Sequence, residues 1–185
     1  MSESQGGKAY SNGDAHERMV RELLRCAGYT YIMTDTLDGL LSHKTGLFPE
    51  AGCYTHHIRV PLVAHYHKPG RATTVDFGIV NRRGDMVLLS SKSQQSSGSA
   101  EEKLWYEIQQ LISTELPAAM FVSGNGFRQF FLEEVWELTR HYGGSRVYLF
   151  RTVERLARWL RDGVPVSGQG VRNSDIWAEY CDREP

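Results

Sequence analysis

An acidic and a basic side chain stand at corresponding ends of a predicted β-hairpin. Asp76 lies in the first apolar segment, residues 75–80, and Lys92 follows the second, residues 86–89, with a Gly-Asp turn between them. If the two segments pair across that turn, both side chains emerge near the same end of the hairpin. A carboxylate held there can bind a divalent metal ion, and an ammonium group beside it can position a water molecule for hydrolysis.

The spacing of Asp76 and Ser90-Ser91-Lys92 resembles the Asp…(Asp/Glu)-x-Lys motif of the PD-(D/E)XK nuclease superfamily, in its restriction-endonuclease branch. In that family the aspartate and the following acidic residue bind magnesium, and the lysine acts on the attacking water. The resemblance therefore implies that Asp76 is a metal ligand and Lys92 the catalytic lysine. The chain departs from the family pattern at Ser90, which stands where the second acidic residue is expected.

The departure at Ser90 raises the question of which residue supplies the second carboxylate. Some restriction enzymes of this superfamily have Ser or Thr at this position and take the carboxylate from the helix that follows. On that resemblance Glu102 is the preferred donor, Glu107 lies further into the same helix, and Glu17, in the first helix, is the other candidate metal ligand. The alternative role of Glu102 is a capping box with Ser99, and the alternative role of Glu17 is to cap its own helix.

Other polar residues near the hairpin have roles implied by the same resemblance. Ser90 and Gln94 are assigned to the catalytic set, and Gln94 shares a strand face with Lys92, where its amide could hold a phosphate or the water. A solvated surface glutamine is the alternative. The residues expected to contact DNA phosphates are Lys103, Arg71 and Lys68; solvated strand and helix ends are the alternative there.

Hydrophobic periodicity predicts an α/β fold around the hairpin. The first helix is expected over residues 13–28, beginning with Asp14 as its N-cap. Further strands are predicted over residues 57–66, 118–122 and 147–150, and further helices over 100–114, 128–142 and 152–161. An antiparallel hairpin followed by parallel β-α-β units predicts a mixed central β-sheet flanked by helices. This order of elements is similar to the core of restriction-endonuclease-like members of the superfamily.

The domain organisation predicted from the sequence is a single nuclease-like domain over residues 1–185. Residues 1–12 are rich in Gly, Ser and Gln and are expected to be flexible. Residues 34–56 carry no clear periodicity and are expected to form a loop insertion with at most a short helix.

Composition and charge restrict the class of protein. A net charge of −1 argues against a protein that coats nucleic acid electrostatically, although a nuclease cleft can be basic locally. No apolar segment approaches the ~20 residues that span a bilayer, so no membrane association is predicted. Three scattered cysteines favour a reducing compartment, and the cytoplasm is the predicted location.

The resemblance thus implies an endonuclease that hydrolyses double-stranded DNA with Mg²⁺, or with Mn²⁺ as the alternative ion. Cutting both strands with one small chain predicts a homodimer or a partner subunit. The rival interpretation is a catalytically inactive nuclease fold that serves as a DNA-binding or assembly subunit, with Ser90 as its evidence. A third is a zinc-binding regulator, for which the borderline ligands are Cys53, His56, His57, His65 and His67.

Overall fold

The computed structural model describes residues 5–44, 52–63, 70–94, 100–141, 147–166, 176 and 179–181. Its elements, in chain order, are α1 (Gln5–Cys26), β1 (Thr30–Tyr31), α2 (Leu37–Lys44), β2 (Cys53–Pro61), β3 (Ala72–Val80), β4 (Met86–Ser93), α3 (Ala100–Ile112), β5 (Ala118–Ser123), α4 (Gln129–His141), β6 (Val147–Phe150) and α5 (Val153–Arg161). Among the described residues, no helix is both long and apolar enough to cross a membrane.

The described strands form one six-stranded sheet in the order β1-β2-β3-β4-β5-β6. The pairs β2–β3 and β3–β4 are antiparallel, whereas β1–β2, β4–β5 and β5–β6 are parallel. β6 is buried along its whole length and β5 along nearly all of it, as expected for parallel strands that are covered on both faces. The predicted α/β class, with a mixed sheet between helices, is confirmed.

Helices α1 and α3 cover opposite faces of the sheet. The ring of His16 in α1 stacks on Phe121 of β5, with 4.8 Å between the ring centroids. Phe121 pairs with Ser91 of β4, so it points away from the face on which the neighbouring residue Ser90 lies. Ser90 is hydrogen bonded to Glu107 of α3. The centre of the sheet therefore has α1 on one side and α3 on the other.

Several boundaries differ from the predicted ones. Helix α1 begins at Gln5, so Asp14 lies inside the helix instead of at its N-cap, and the helix takes in most of the segment expected to be flexible. Glycine and serine have low helix propensity, which is why composition points the other way there. Residues 34–56 contain α2 and the first residues of β2, whose side chains at Cys53, Tyr54 and Thr55 are all buried. Burial on both faces removes the alternation by which a strand is recognised.

The hydrogen-bond ladders on both sides of β3 are interrupted at one point. The β2–β3 ladder pairs His56 with Phe77 and resumes two residues later, which leaves His57 and Asp76 outside it. His57 has φ 54°, in the left-handed region that non-glycine residues seldom adopt. On the other side the β3–β4 ladder ends at Phe77 and Leu89. Asp76 therefore lies where β3 diverges from its neighbours.

Candidate active site

Asp76 is fixed at the point where β3 and β4 diverge. Its Oδ2 accepts a hydrogen bond from the backbone N–H of Ser91 at 2.7 Å and lies 3.1 Å from Oγ of Ser90. Because the ladder between the two strands has ended, the Ser91 amide is satisfied by this carboxylate and not by a β3 carbonyl. Lys92 Nζ lies 3.6 Å from the same oxygen. The structure thus brings Asp76, Ser90 and Lys92 together.

A second carboxylate reaches this group from α3. Oε2 of Glu107 lies 3.0 Å from Nζ of Lys92, and its Oε1 is hydrogen bonded to Ser90 Oγ. Its neighbours Leu104, Ile108 and Leu111 are buried, so this stripe of the helix faces the sheet. The site therefore takes its charged groups from three elements: β3, β4 and α3.

The structure places the preferred carboxylate donor, Glu102, elsewhere. Its side chain is exposed. Glu102 and Glu107 are about 140° apart around the helix axis, so they cannot both face Ser90. The adjacent Glu101 is turned toward α4, where it accepts hydrogen bonds from Arg128, and Ser99, the predicted capping partner of Glu102, lies outside the described residues. Glu107 lies three residues after Leu104 and four residues before Leu111, and this spacing on one helix face is the sequence signal that favours it.

Glu17, the other predicted metal ligand, faces two histidines of β2. Its Oε2 lies 2.7 Å from Nε2 of His56 and 3.3 Å from Nε2 of His57. Because His56 pairs with Phe77 and its ring lies 5.3 Å from the Phe77 ring, this group lies on the α1 side of the sheet. Glu17 is thus engaged in a cluster different from that of Asp76 and Glu107.

The remaining predicted residues have different surroundings. Gln94 is buried, and its Nε2 donates to the carbonyl of Gly126 at 3.4 Å, so it supports the turn between β5 and α4. The Lys103 and Arg71 side chains are exposed, and Lys68 lies outside the described residues. Their contact with DNA remains a prediction.

His16 lies on the α1 side of the sheet, opposite Ser90, but is near enough to Asp76 and Lys92 for their charges to affect it, although nothing in the sequence distinguishes it. Its Nε2 lies 2.9 Å from Ser123 Oγ, and its Nδ1 has no hydrogen-bond partner among the described residues. Burial lowers the pKa of His16, and the nearby charge of Asp76 opposes that change in part. Its hydrogen-bond partner Ser123 and its stacking partner Phe121 are distant in sequence, so no local pattern indicates them.

Burial and charge act in opposite directions on the two ionisable partners Glu107 and Lys92. Burial raises the pKa of Glu107, and the attraction of Lys92 offsets this only in part. Burial alone would lower the pKa of Lys92, but Asp76 and Glu107 outweigh it and the pKa is raised. Lys92 is therefore held in its protonated form, while Glu107 binds a proton at a higher pH than an ordinary glutamate does.

The donor set of this site fits a hard divalent cation. Asp76 and Glu107 offer carboxylate oxygens, and the hydroxyl of Ser90 lies within hydrogen-bond distance of both. Magnesium takes one or two carboxylates and keeps several waters, which such a set allows. Two carboxylates against the single ammonium of Lys92 also leave a local excess of negative charge when both are ionised.

A family model for the PD-(D/E)XK nuclease superfamily domain matches residues 8–140. That range contains Asp76, Ser90, Lys92 and Glu107. No curated protein and no solved structure matches the chain significantly. Because the family match covers well over half of the sequence and includes the entire site, the chain belongs to the PD-(D/E)XK nuclease superfamily.

Proposed function

We propose that the protein is a metal-dependent endodeoxyribonuclease, similar to small type II restriction enzymes, that hydrolyses phosphodiester bonds of double-stranded DNA. The observation that carries the proposal is the contact of Glu107 with both Ser90 and Lys92. It offers the carboxylate that the motif lacks at Ser90, which supports an active enzyme over an inactive homologue.

The metal proposed for the site is Mg²⁺, with Mn²⁺ as the alternative, held by Asp76 and Glu107. When bound, such an ion supplies neutralisation of phosphate charge and a water of lowered pKa. The Ser91 amide fixes the orientation of Asp76 before any ion binds, and the Ser90 hydroxyl lies between the two carboxylates. Such preorganisation reduces the rearrangement that ion binding requires.

Lys92 is assigned to hydrogen-bond donation and charge stabilisation. Its raised pKa keeps the ammonium protonated, so it can donate to the attacking water and to a phosphate oxygen. A protonated ammonium cannot accept a proton, so the mechanism gives Lys92 no role as a general base. The exposed residues Arg71 and Lys103 are proposed to contact phosphates beside the scissile bond.

One site cleaves one strand at a time, so cutting of both strands calls for two sites. A symmetric homodimer is the simplest arrangement that supplies them on a two-fold symmetric duplex, and a partner subunit is the alternative.

The proposal is tested by plasmid cleavage with purified protein in the presence of Mg²⁺, Mn²⁺ or a chelator. Wild-type protein should convert supercoiled DNA to nicked and linear forms only when an ion is present. Asp76→Asn should lower the rate about 1000-fold, because a ligand and its charge are lost. Glu102→Gln is the matched control on the exposed side of α3 and should cleave like wild type.

Two results would contradict this function. Cleavage that persists in Asp76→Asn would remove the mechanism. Wild-type protein that binds duplex DNA but cleaves none with either ion would favour a DNA-binding subunit.

A further inference from the structure

We propose that Glu17, His56 and His57 form a second metal site, on the α1 side of the sheet, for a divalent transition-metal ion such as Zn²⁺. The site is separate from the carboxylates of Asp76 and Glu107, and the inference does not depend on the proposed nuclease activity. The inference rests on the geometry of three side chains and on the backbone conformation that brings two of them together.

The three ligand atoms already lie close to one another. Oε2 of Glu17 is 2.7 Å from His56 Nε2 and 3.3 Å from His57 Nε2, and all three atoms lie within 4.8 Å of each other. Ligands about 2.0–2.1 Å from a tetrahedral zinc ion are roughly 3.3 Å apart. Shifts of less than about 1 Å, within the reach of side-chain rotation, would therefore place all three on one ion.

The backbone at His57 is what makes the convergence possible. Successive side chains of a regular strand point to opposite faces, so His56 and His57 should not share a carboxylate. The left-handed φ of 54° at His57 and the gap in the β2–β3 ladder turn both imidazoles to Glu17, where their ring centroids are 3.7 Å apart. Such a conformation costs free energy and persists only where the surrounding structure compensates, as at ligand sites.

The donor types select the class of ion. Two imidazole nitrogens and one carboxylate suit zinc and other first-row transition metals, whereas magnesium prefers oxygen ligands. The side chains of Glu17 and His56 are 22% and 20% exposed, but that of His57 is 57% exposed. The site is therefore enclosed on the protein side and open toward solvent, which leaves a position for water.

The alternative role for the same contacts is a hydrogen-bonded Glu–His pair that joins α1 to β2 without a metal. Zn²⁺ titration by calorimetry, metal analysis after dialysis and the visible absorption of bound Co²⁺ distinguish the two. The titrations use full-length protein carrying Asp76→Asn, so that the carboxylate site of the proposed nuclease contributes less. One equivalent of Zn²⁺ should bind, and Co²⁺ should show the spectrum of nitrogen and oxygen ligation.

Ligand variants locate the ion. Glu17→Gln and His57→Asn should each weaken Zn²⁺ binding on the order of 100-fold or more, since loss of a residue that merely supports a ligand already costs ~10–100-fold. Asparagine tolerates a left-handed φ, so His57→Asn should leave the backbone as it is. Glu22→Gln, on the exposed side of the same helix where Glu22 pairs with Arg25 at 2.9 Å, is the matched control and should bind like the parent protein.

Two outcomes would overturn the proposal: no Zn²⁺ or Co²⁺ binding by the parent protein, which leaves only the hydrogen-bonded pair, or binding that is unchanged in both ligand variants. Absence of DNA cleavage has no bearing on either readout, so failure of the proposed nuclease function and failure of this site are distinguishable.

Discussion

Ser90 is the residue at which the site departs from the family motif, and it is also the residue that contacts both carboxylates of the site. Its hydroxyl has one hydrogen, yet its oxygen lies against the carboxylates of both Asp76 and Glu107. The hydroxyl can donate to only one of them. Both contacts are therefore hydrogen bonds only when Glu107 is protonated and donates to Ser90, which then donates to Asp76. The raised pKa of Glu107 agrees with this description, and a cation would have to displace that proton.

Competition between a proton and the metal at Glu107 predicts a pH dependence. Because burial raises the pKa of Glu107, the ionised form that binds a cation is depleted at a higher pH than for an ordinary carboxyl. The Mg²⁺ concentration that gives half-maximal cleavage should therefore rise as the pH falls through the pKa, by up to about tenfold for each pH unit. Cleavage rates measured across Mg²⁺ concentration and pH give this dependence directly.

Saturating Mg²⁺ should restore the rate lost at low pH, because the metal then outcompetes the proton. A midpoint that stays constant with pH while the maximal rate falls would place the titrating group elsewhere.

At the scale of the elements, the hairpin and α3 contribute differently to what the sequence predicts. A hairpin brings Asp76 and Lys92 to one end whenever its two strands pair, so periodicity and a turn suffice to predict that meeting. The orientation of α3 about its own axis decides between Glu102 and Glu107, and this depends on how Leu104 and Ile108 pack on the sheet. The conformation of His57 is a tertiary effect that no local pattern indicates.

The origin of the second carboxylate can be tested by moving it from α3 to β4. Glu107→Gln should lower Mg²⁺-dependent cleavage about 1000-fold. Adding Ser90→Glu to that variant restores a carboxylate at the position where the family motif has one. The double variant should cleave at least about tenfold faster than Glu107→Gln alone. Plasmid cleavage at fixed Mg²⁺ measures both steps.

The matched control is Ser90→Gln in the same Glu107→Gln background, which has nearly the same size but no charge. Equal activity of the Glu and Gln substitutions at Ser90 would show that the carboxylate itself is not what the site needs.

The turn after β5 supports the end of β4 that carries Lys92. Gly124 has φ +92°, and a Cβ built on it would lie 2.1 Å from the carbonyl oxygen of Gln94. A non-glycine residue in the left-handed conformation costs ~1–2 kcal/mol. Gly124→Ala should lower the free energy of unfolding by more than this because of the added clash. It should also lower the rate of cleavage, because the end of β4 shifts. Urea unfolding and the plasmid assay measure the two effects.

Gly163 offers a control for the backbone contribution alone. Its φ is +87°, and no described atom lies within 4 Å of an added Cβ. Gly163→Ala should therefore show only the conformational cost, with cleavage unchanged. Equal loss of stability in the two variants would contradict the proposed clash with Gln94.

At the scale of the whole molecule, the interruption of the ladders around β3 places two groups with different donor chemistry on opposite faces of one sheet. The oxygen donors of Asp76 and Glu107 face α3, and the nitrogen donors of His56 and His57 face α1. Both depend on the same departure from regular pairing at His57 and Asp76. A regular sheet would be more completely hydrogen bonded here but would offer neither group.

A site of this kind should lower the stability of the metal-free protein. The folded-state pKa of Glu107 is raised, so the folded protein binds its proton more tightly than the unfolded chain does. Stability should therefore decrease as the pH rises from the ordinary glutamate pKa through the raised one, and ionised Glu107 should cost free energy above that range. The raised pKa already includes the attraction of Lys92, so the ion pair does not cancel this cost.

Glu107→Gln removes that charge and should make the metal-free protein more stable than wild type near neutral pH. Mg²⁺ should then raise the melting temperature of wild type, since an ion that binds only the folded state stabilises it by mass action, but should have little effect on the variant. Thermal unfolding with and without Mg²⁺ gives both comparisons, and Glu102→Gln should behave as wild type in each. A variant that is less stable than wild type without Mg²⁺ would mean that the contacts of Glu107 with Ser90 and Lys92 outweigh the cost of burying its charge.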